Sequence, residues 1–193
     1  MHELGDTRMK SEIVLLGPVR AGKSTIGRLI AERLGVSQVS LDDLRWAYYK
    51  EIGYDERLAK QIRVAGGFLA LTLYWQLFDA YSVERVLAEH DRCVFDFGAG
   101  VGISESQEQF ARVQRALASY RSVVLLLPSR DTVESIRILR ERDTDPPSVL
   151  NFDFNAHFLC HHGYTDLAKF TVYTAGHSPQ ATCDEIMRMI EEE

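Results

Sequence analysis

Three groups of residues carry chemistry in their types and spacing: the run Gly17-Pro18-Val19-Arg20-Ala21-Gly22-Lys23-Ser24-Thr25, the acids Asp42 and Asp96, and the arginines Arg137, Arg140 and Arg142. The first has the pattern G-x-x-x-x-G-K-S/T. It stands between an apolar run at 12–16 and an amphipathic stretch at 23–34, the context in which that pattern is meaningful. Glycines let backbone N–H groups turn inward around an anionic phosphate, and the N-terminus of a following helix adds partial positive charge. Lys23 is then placed to reach the β and γ phosphates, and Ser24 to offer its hydroxyl to Mg²⁺. The chain is therefore expected to bind ATP or another nucleoside triphosphate with Mg²⁺.

The fate of the γ phosphate depends on acids. Asp96 ends the apolar run 93–96, a usual place for a carboxylate that holds Mg²⁺ or its waters. Gly98 and Gly100 follow it and would let a substrate approach the backbone closely. Asp42 also sits at a strand end, with Asp43 beside it; one of the pair is expected to N-cap the next helix. The spare carboxylate, read as Asp42, could take the proton of a hydroxyl attacking the γ phosphate.

The elements that must position these residues alternate. Apolar runs at 12–16, 36–41, 93–96, 122–127 and 169–173 read as strands. Helical periodicity follows at 23–34, from about 44, at 104–119, 131–142 and 179–192. The stretch 55–90 carries no strand pattern, and Gly66-Gly67 divides it into a short helix and a long one. Asp143-Thr-Asp-Pro-Pro-Ser148 is the densest turn cluster and predicts a mobile loop, followed by a single helix over about 154–162. Strands alternating with helices imply an α/β fold with a parallel sheet covered on both faces.

At 193 residues the chain suits one domain. Hydrophobic residues at 46% and charged residues at 26% exclude a disordered or collagen-like chain. No apolar run approaches the ~20 residues that span a bilayer, so no membrane role and a cytoplasmic location are expected. Twenty-two basic against 28 acidic side chains give a net charge of −6, which disfavours duplex DNA but not a small phosphate-bearing ligand. Cys93, Cys160 and Cys183 are an odd number without C-x-x-C spacing and read as free thiols.

Together the segments GPVRAGKSTIGRLIAERLG, VSLDDLRW, FDFGAG and KFTVYTAGHSPQATCDEIMRMI resemble the small P-loop kinases related to shikimate kinase, gluconate kinase and adenylate kinase. The resemblance implies the P-loop NTPase three-layer sandwich, a five-stranded parallel sheet in the order 2-3-1-4-5. It further implies an acceptor-binding helical insert over 44–90 and a lid over 140–153. Gly17, Val19, Arg20, Ala21, Gly22, Lys23, Ser24 and Thr25 fall on the family's phosphate loop. Arg137 resembles the arginine beside adenine, the loop from Gly176 to Pro179 the one closing over the base, and Arg140 or Arg142 the lid arginine. Shikimate kinases carry D-x-D where this chain has Ser40-Leu41-Asp42, an arginine where Leu69 follows Gly66-Gly67-Phe68, and three glycines where FDFGAG stands. The R-P-L-L lid signature is absent as well. The departures imply an acceptor other than shikimate.

A second likeness joins Ser40-Leu-Asp42-Asp43-Leu-Arg45 to polynucleotide kinases and the zeta-toxin or antibiotic-phosphotransferase branch. There the first Asp of such a pair is the base, and Arg45 would hold an anionic group on the acceptor or simply pair with an acid at the surface. The expectation is an ATP- and Mg²⁺-dependent kinase acting on a small-molecule hydroxyl. The alternatives are a nucleoside or RNA 5′-hydroxyl kinase, or a nucleotide-hydrolysing switch acting through protein partners.

Two weaker signals remain. His157, Cys160, His161 and His162 form H-x-x-C-H-H, with His157 and His161 on one helix face; lacking a distant ligand pair, they read as a polar helix near the lid rather than a zinc site. Trp46, Tyr48, Tyr49, Phe68, Tyr74, Trp75 and Phe78 fall in the helical insert, as ordinary core or as the wall of an apolar acceptor pocket.

Overall fold

The structure is a computed structural model that describes residues 10–143, 153–161 and 163–192. The lid expected over 140–153 is thus described only at its two ends, and His162 lies outside the described residues. Five parallel strands run in the order β2-β3-β1-β4-β5: β1 Lys10–Leu16, β2 Ser37–Ser40, β3 Cys93–Asp96, β4 Tyr120–Leu127 and β5 Phe170–Tyr173.

Alternation within the strands builds two cores. Ile13, Leu15, Val94, Val124 and Leu126 face α1 (Lys23–Leu34) and α8 (Pro179–Glu191). Val14, Leu16, Phe95, Val123 and Leu125 face the opposite layer. That layer holds α2 (Leu41–Glu51), α3 (Glu56–Glu89), α4 (Gln107–Leu117) and α7 (Gly163–Leu167). With both faces covered, the strands are continuous apolar runs, as a parallel sheet requires. α5 (Thr132–Arg142) and α6 (Phe154–Leu159) flank the undescribed segment. Among the described residues no helix is long and apolar enough to cross a membrane.

Two expectations are corrected. α2 begins at Leu41 instead of near Leu44, its N-cap is Ser40, and neither Asp42 nor Asp43 caps it; both lie in its first turn. Leu41 is 3% exposed and packs in the same core as Phe95 and Phe97, so its burial draws the helix start back to the strand end. First-turn acids still complement the helix dipole. The helix expected over 154–162 ends earlier, as α6 with Cys160 for its C-cap, and a separate short helix, α7, starts only at Gly163 beyond the expected range. Tyr164, 3% exposed, packs on Phe158, and this anchor redirects the chain. The Gly66-Gly67 division appears as a kink inside α3 at Gly67, with φ 73° and ψ −163°.

Candidate active site

Parallel strands put every strand's C-terminal end at one sheet edge, where ligands of such sheets bind. The loop after β1 turns there with positive φ at Gly17 (147°), Arg20 (67°) and Gly22 (102°). A Cβ at Gly17 would stand 2.5 Å from the Leu126 carbonyl oxygen, so only glycine lets the loop pass β4 this closely. Gly22 is the N-cap of α1, and Ile26 and Ile30, one turn apart, bury that helix on the sheet. Lys23 is 8% exposed; its Nζ donates to Gly17 O at 3.0 Å and Pro18 O at 2.9 Å. Burial holds its ammonium below the ordinary range, against the pull of Asp96 and Asp42. Val19 in the loop and Thr25 in the first turn of α1 are both exposed.

Asp96, 4% exposed, closes β3 beside this loop. Burial lifts its carboxyl above the ordinary range, while the Ser24 hydroxyl that donates to it and the Lys23 ammonium oppose that shift. Gln38 Nε2 donates to Ser24 O at 3.2 Å and to Asp96 Oδ2 at 3.4 Å, tying β2 to both. Gly27 makes room for this glutamine, since a Cβ there would meet Gln38 Nε2 at 2.7 Å. Ser24 and Asp96 thus offer a hydroxyl and a carboxylate in contact, hard oxygen donors of the kind Mg²⁺ takes.

Asp42 lies across from Gly98, where a Cβ would overlap its carboxylate. Arg45 Nη1 reaches Asp42 Oδ1 at 3.3 Å, and Nη2 donates to Tyr49 OH at 2.8 Å. Tyr49 OH in turn donates to Asp79, which is 3.9 Å from Arg45. Burial pushes both the Asp79 carboxyl and the Tyr49 hydroxyl upward. Asp42, Arg45 and Asp79 line one small pocket with Leu41, Ser82, Gly98, Gly100 and Val101, and Arg45 is its one guanidinium among the described residues. The Arg45 guanidinium also stacks on Trp46 (4.9 Å) and Trp75 (5.1 Å). Those two rings, with Tyr54 and Leu71, wall a neighbouring cleft of about 360 Å³ whose lining includes Lys60 and Arg63. The aromatic group therefore splits: Tyr48, Tyr49 and Phe78 are core, and Trp46 and Trp75 line a cavity.

The arginines of α5 part company. Arg142 Nη1 donates to Arg20 O at 3.2 Å and approaches Thr174 Oγ1 at 3.4 Å, beside the phosphate loop. Arg140 pairs with Asp153 at 2.7 Å, joining the two ends of the undescribed segment. Arg137 is half-exposed between Glu134 and Glu141. Gly176 (φ 77°) turns the chain after β5 toward Ser178, the N-cap of α8, and Pro179 in its first turn. Sequence reasoning missed Gln38, Tyr49 as a polar partner, and Asp79. Asp79 had a legible signal, an acid inside the apolar run Leu77-Phe78-Asp79-Ala80.

No family model matches the chain. The shikimate kinase of Streptomyces avermitilis is 28% identical over 182 residues, covering 93% of this chain and 95% of that protein. Among solved structures, shikimate kinase from Acinetobacter baumannii in complex with shikimate superposes with a TM-score of 0.65 at 18% identity, over 95% of this chain and 94% of that one. A gluconokinase from Sinorhizobium meliloti gives a TM-score of 0.50 at 16% identity, over 96% of each. Kinase relatives imply use of ATP and Mg²⁺ in general. A phosphate loop at the head of α1, the strand order, and a sequence likeness to shikimate kinases running the length of the chain support a small P-loop kinase similar to shikimate kinases, an enzyme whose phosphoryl acceptor is a hydroxyl.

Proposed function

We propose that the enzyme transfers the γ phosphoryl group of ATP to a hydroxyl of a small molecule bound beside Asp42, and that this acceptor is not shikimate. The observation that carries the reading is the convergence of Lys23, Asp96 and Asp42 at one sheet edge, close enough for both carboxylates to act on the Lys23 charge. The loop amides and Lys23 bind the β and γ phosphates, Lys23 exchanging its present carbonyl partners for phosphate oxygens. Ser24 and Asp96 would hold Mg²⁺, which neutralises charge on the phosphates when bound. Asp42 accepts the hydroxyl proton as the new O–P bond forms and the bond to the β-phosphate bridging oxygen breaks, releasing ADP. Arg142, beside the phosphate loop, is the better placed of the two lid arginines to stabilise the transferred group; Arg140 is held by Asp153. Residues 44–90 form the acceptor-binding insert, and Arg137 and the turn from Gly176 to Pro179 flank the base.

Against an acid at the reacting end, Leu69 stands where the resembling family has an arginine and is 41% exposed. Arg45 is already shared between Asp42 and Asp79. Two carboxylates around one guanidinium suit a neutral, hydroxyl-rich head group, with an apolar body lying on Trp46 and Trp75. One observation favours the second reading, a nucleoside or RNA 5′-hydroxyl acceptor: Lys60 and Arg63 accompany the aromatic cleft, a setting for a base and a distal phosphate.

Mass spectrometry of a pooled library of hydroxy acids, polyols, antibiotics, nucleosides and short RNAs, incubated with protein, Mg²⁺ and ATP, tests the reading against a Lys23→Ala control. A neutral compound gaining one phosphoryl group only with the wild type supports it. Phosphorylation of shikimate overturns the acceptor assignment, and ADP without any phosphorylated product favours a nucleotide-hydrolysing switch.

A further inference from the structure

Away from the acceptor pocket, Glu105, His157 and His161 bring one ligand atom each to within 4.8 Å of one another. The two imidazoles come from one short stretch: His157 lies in α6, and His161 directly follows its C-cap Cys160. Their ring centroids are 4.6 Å apart at 71°, edge toward face. Glu105 comes from a distant part of the chain, one residue before Ser106, the N-cap of α4, and stands 3.9 Å from His161 Nε2. The i, i+4 spacing was legible in sequence; the third donor, supplied across the fold, was not.

The backbones on both sides are fixed. Glu105 N–H donates to Gln76 Oε1 at 3.1 Å, and Ile103 N–H to Gly100 O at 3.2 Å. On the other side His157 N–H donates to Asp153 O at 3.0 Å and His161 N–H to Phe158 O at 3.1 Å, with Phe158 fully buried between Phe154 and Tyr164. The three side chains therefore need only torsional adjustment to reach the ~2.0–2.2 Å bonds that zinc makes to nitrogen and carboxylate oxygen. Two imidazoles and one carboxylate form a borderline donor set that suits Zn²⁺ and related transition ions, unlike the hydroxyl and carboxylate pair of Ser24 and Asp96.

We infer that Glu105, His157 and His161 form a second metal site, specific for a divalent transition ion such as Zn²⁺, with the remaining coordination position open to water. A bound ion ties α6 to the loop that carries Gly98 and Gly100, and so stiffens one wall of the acceptor pocket from outside it. The site does not depend on the identity of the acceptor.

The test uses the full chain after chelator treatment and dialysis, titrated with Zn²⁺ and separately with Co²⁺ in excess Mg²⁺. The expected result is one equivalent of Zn²⁺ bound, a visible Co²⁺ absorption band, and a melting midpoint that rises with Zn²⁺. Glu105→Gln, at an exposed position, should weaken binding about 10- to 100-fold, and His157→Ala/His161→Ala should abolish it. Metal-free melting curves matching wild type keep the comparison free of folding defects. Absence of stoichiometric Zn²⁺ binding by the wild type overturns the site, as does undiminished binding by both variants, which would assign the ion to other groups such as Cys160.

Discussion

Ser40 and Asp96 are register partners on the neighbouring strands β2 and β3. The resembling shikimate kinases carry the first acid of D-x-D where Ser40 stands, so here a carboxylate at this end of the sheet is supplied by the adjacent strand, one hydrogen-bonding step away. Partners in a parallel pair lie about 5 Å apart at the same height, so an oxygen donor can be offered at this end of the sheet from either strand. Asp96→Ser should lower kcat about 100-fold or more, the scale of losing one group that stabilises developing charge, with much of the loss in Mg²⁺ dependence. Adding Ser40→Asp to that variant should restore activity by about tenfold or more. Steady-state kinetics across a Mg²⁺ titration decide it, and a double variant no better than Asp96→Ser would mean that Asp96 acts from its own position only.

Binding and proton transfer should separate at Lys23 and Asp42. Lys23→Ala removes the buried ammonium from the phosphate loop and should abolish both transfer and tight ATP binding. Asp42 is half-exposed and touches Arg45 rather than the loop. Asp42→Asn should therefore cost about 10²- to 10⁴-fold in kcat with ATP affinity nearly unchanged. Calorimetric titration of ATP into both variants supplies the comparison, and equal loss of affinity would remove Asp42 from the role of base.

The two glycines after β3 should differ sharply. An alanine methyl at Gly98 would overlap the Asp42 carboxylate and force it to move, whereas one at Gly100 would meet Asp79 Oδ2 at 3.4 Å, an ordinary contact. Displacing a reacting group by about 1 Å can cost on the order of 100-fold in rate. Gly98→Ala should thus lose about that much in kcat with its melting midpoint little changed, while Gly100→Ala stays within a few-fold. Comparable activity in the two variants would mean that Asp42 need not sit where it does.

The phosphate side was legible because its chemistry is local. Gly17, Gly22, Lys23 and Ser24 are neighbours in sequence, and a strand before and helix after fix their geometry. The sheet order was legible through the resemblance, and the strands themselves through their apolar runs. The acceptor side was not, because its groups meet only after folding: Asp42 and Arg45 come from α2, Asp79 from the far half of α3 beyond the kink at Gly67, and Gly98 from the loop after β3. Propensity also lost to packing at Leu41, whose burial set the start of α2 and took both aspartates out of the capping position.

The Asp79 carboxyl should leave a signature in stability. Its surroundings give it Tyr49 and Arg45 as partners, yet burial outweighs them and raises its pKa in the folded state. Above the unfolded value of about 4, the folded chain then binds more of this proton than the unfolded chain does, so the contribution to stability falls as pH rises until the folded pKa is passed. Asp79→Asn removes the titration and should flatten that decline, while Asp96, lifted in the same direction, keeps its own share. Urea denaturation at intervals from about pH 4 to 8 reads the slope directly. A parallel measurement on Tyr49→Phe, which strips the hydroxyl donor from Asp79, should show a loss of about 1–3 kcal/mol as the buried carboxylate loses a partner. A stability profile unchanged by Asp79→Asn would mean that Arg45 already holds the carboxylate ionised, and the pocket would then present a full negative charge to its acceptor at every pH in that range.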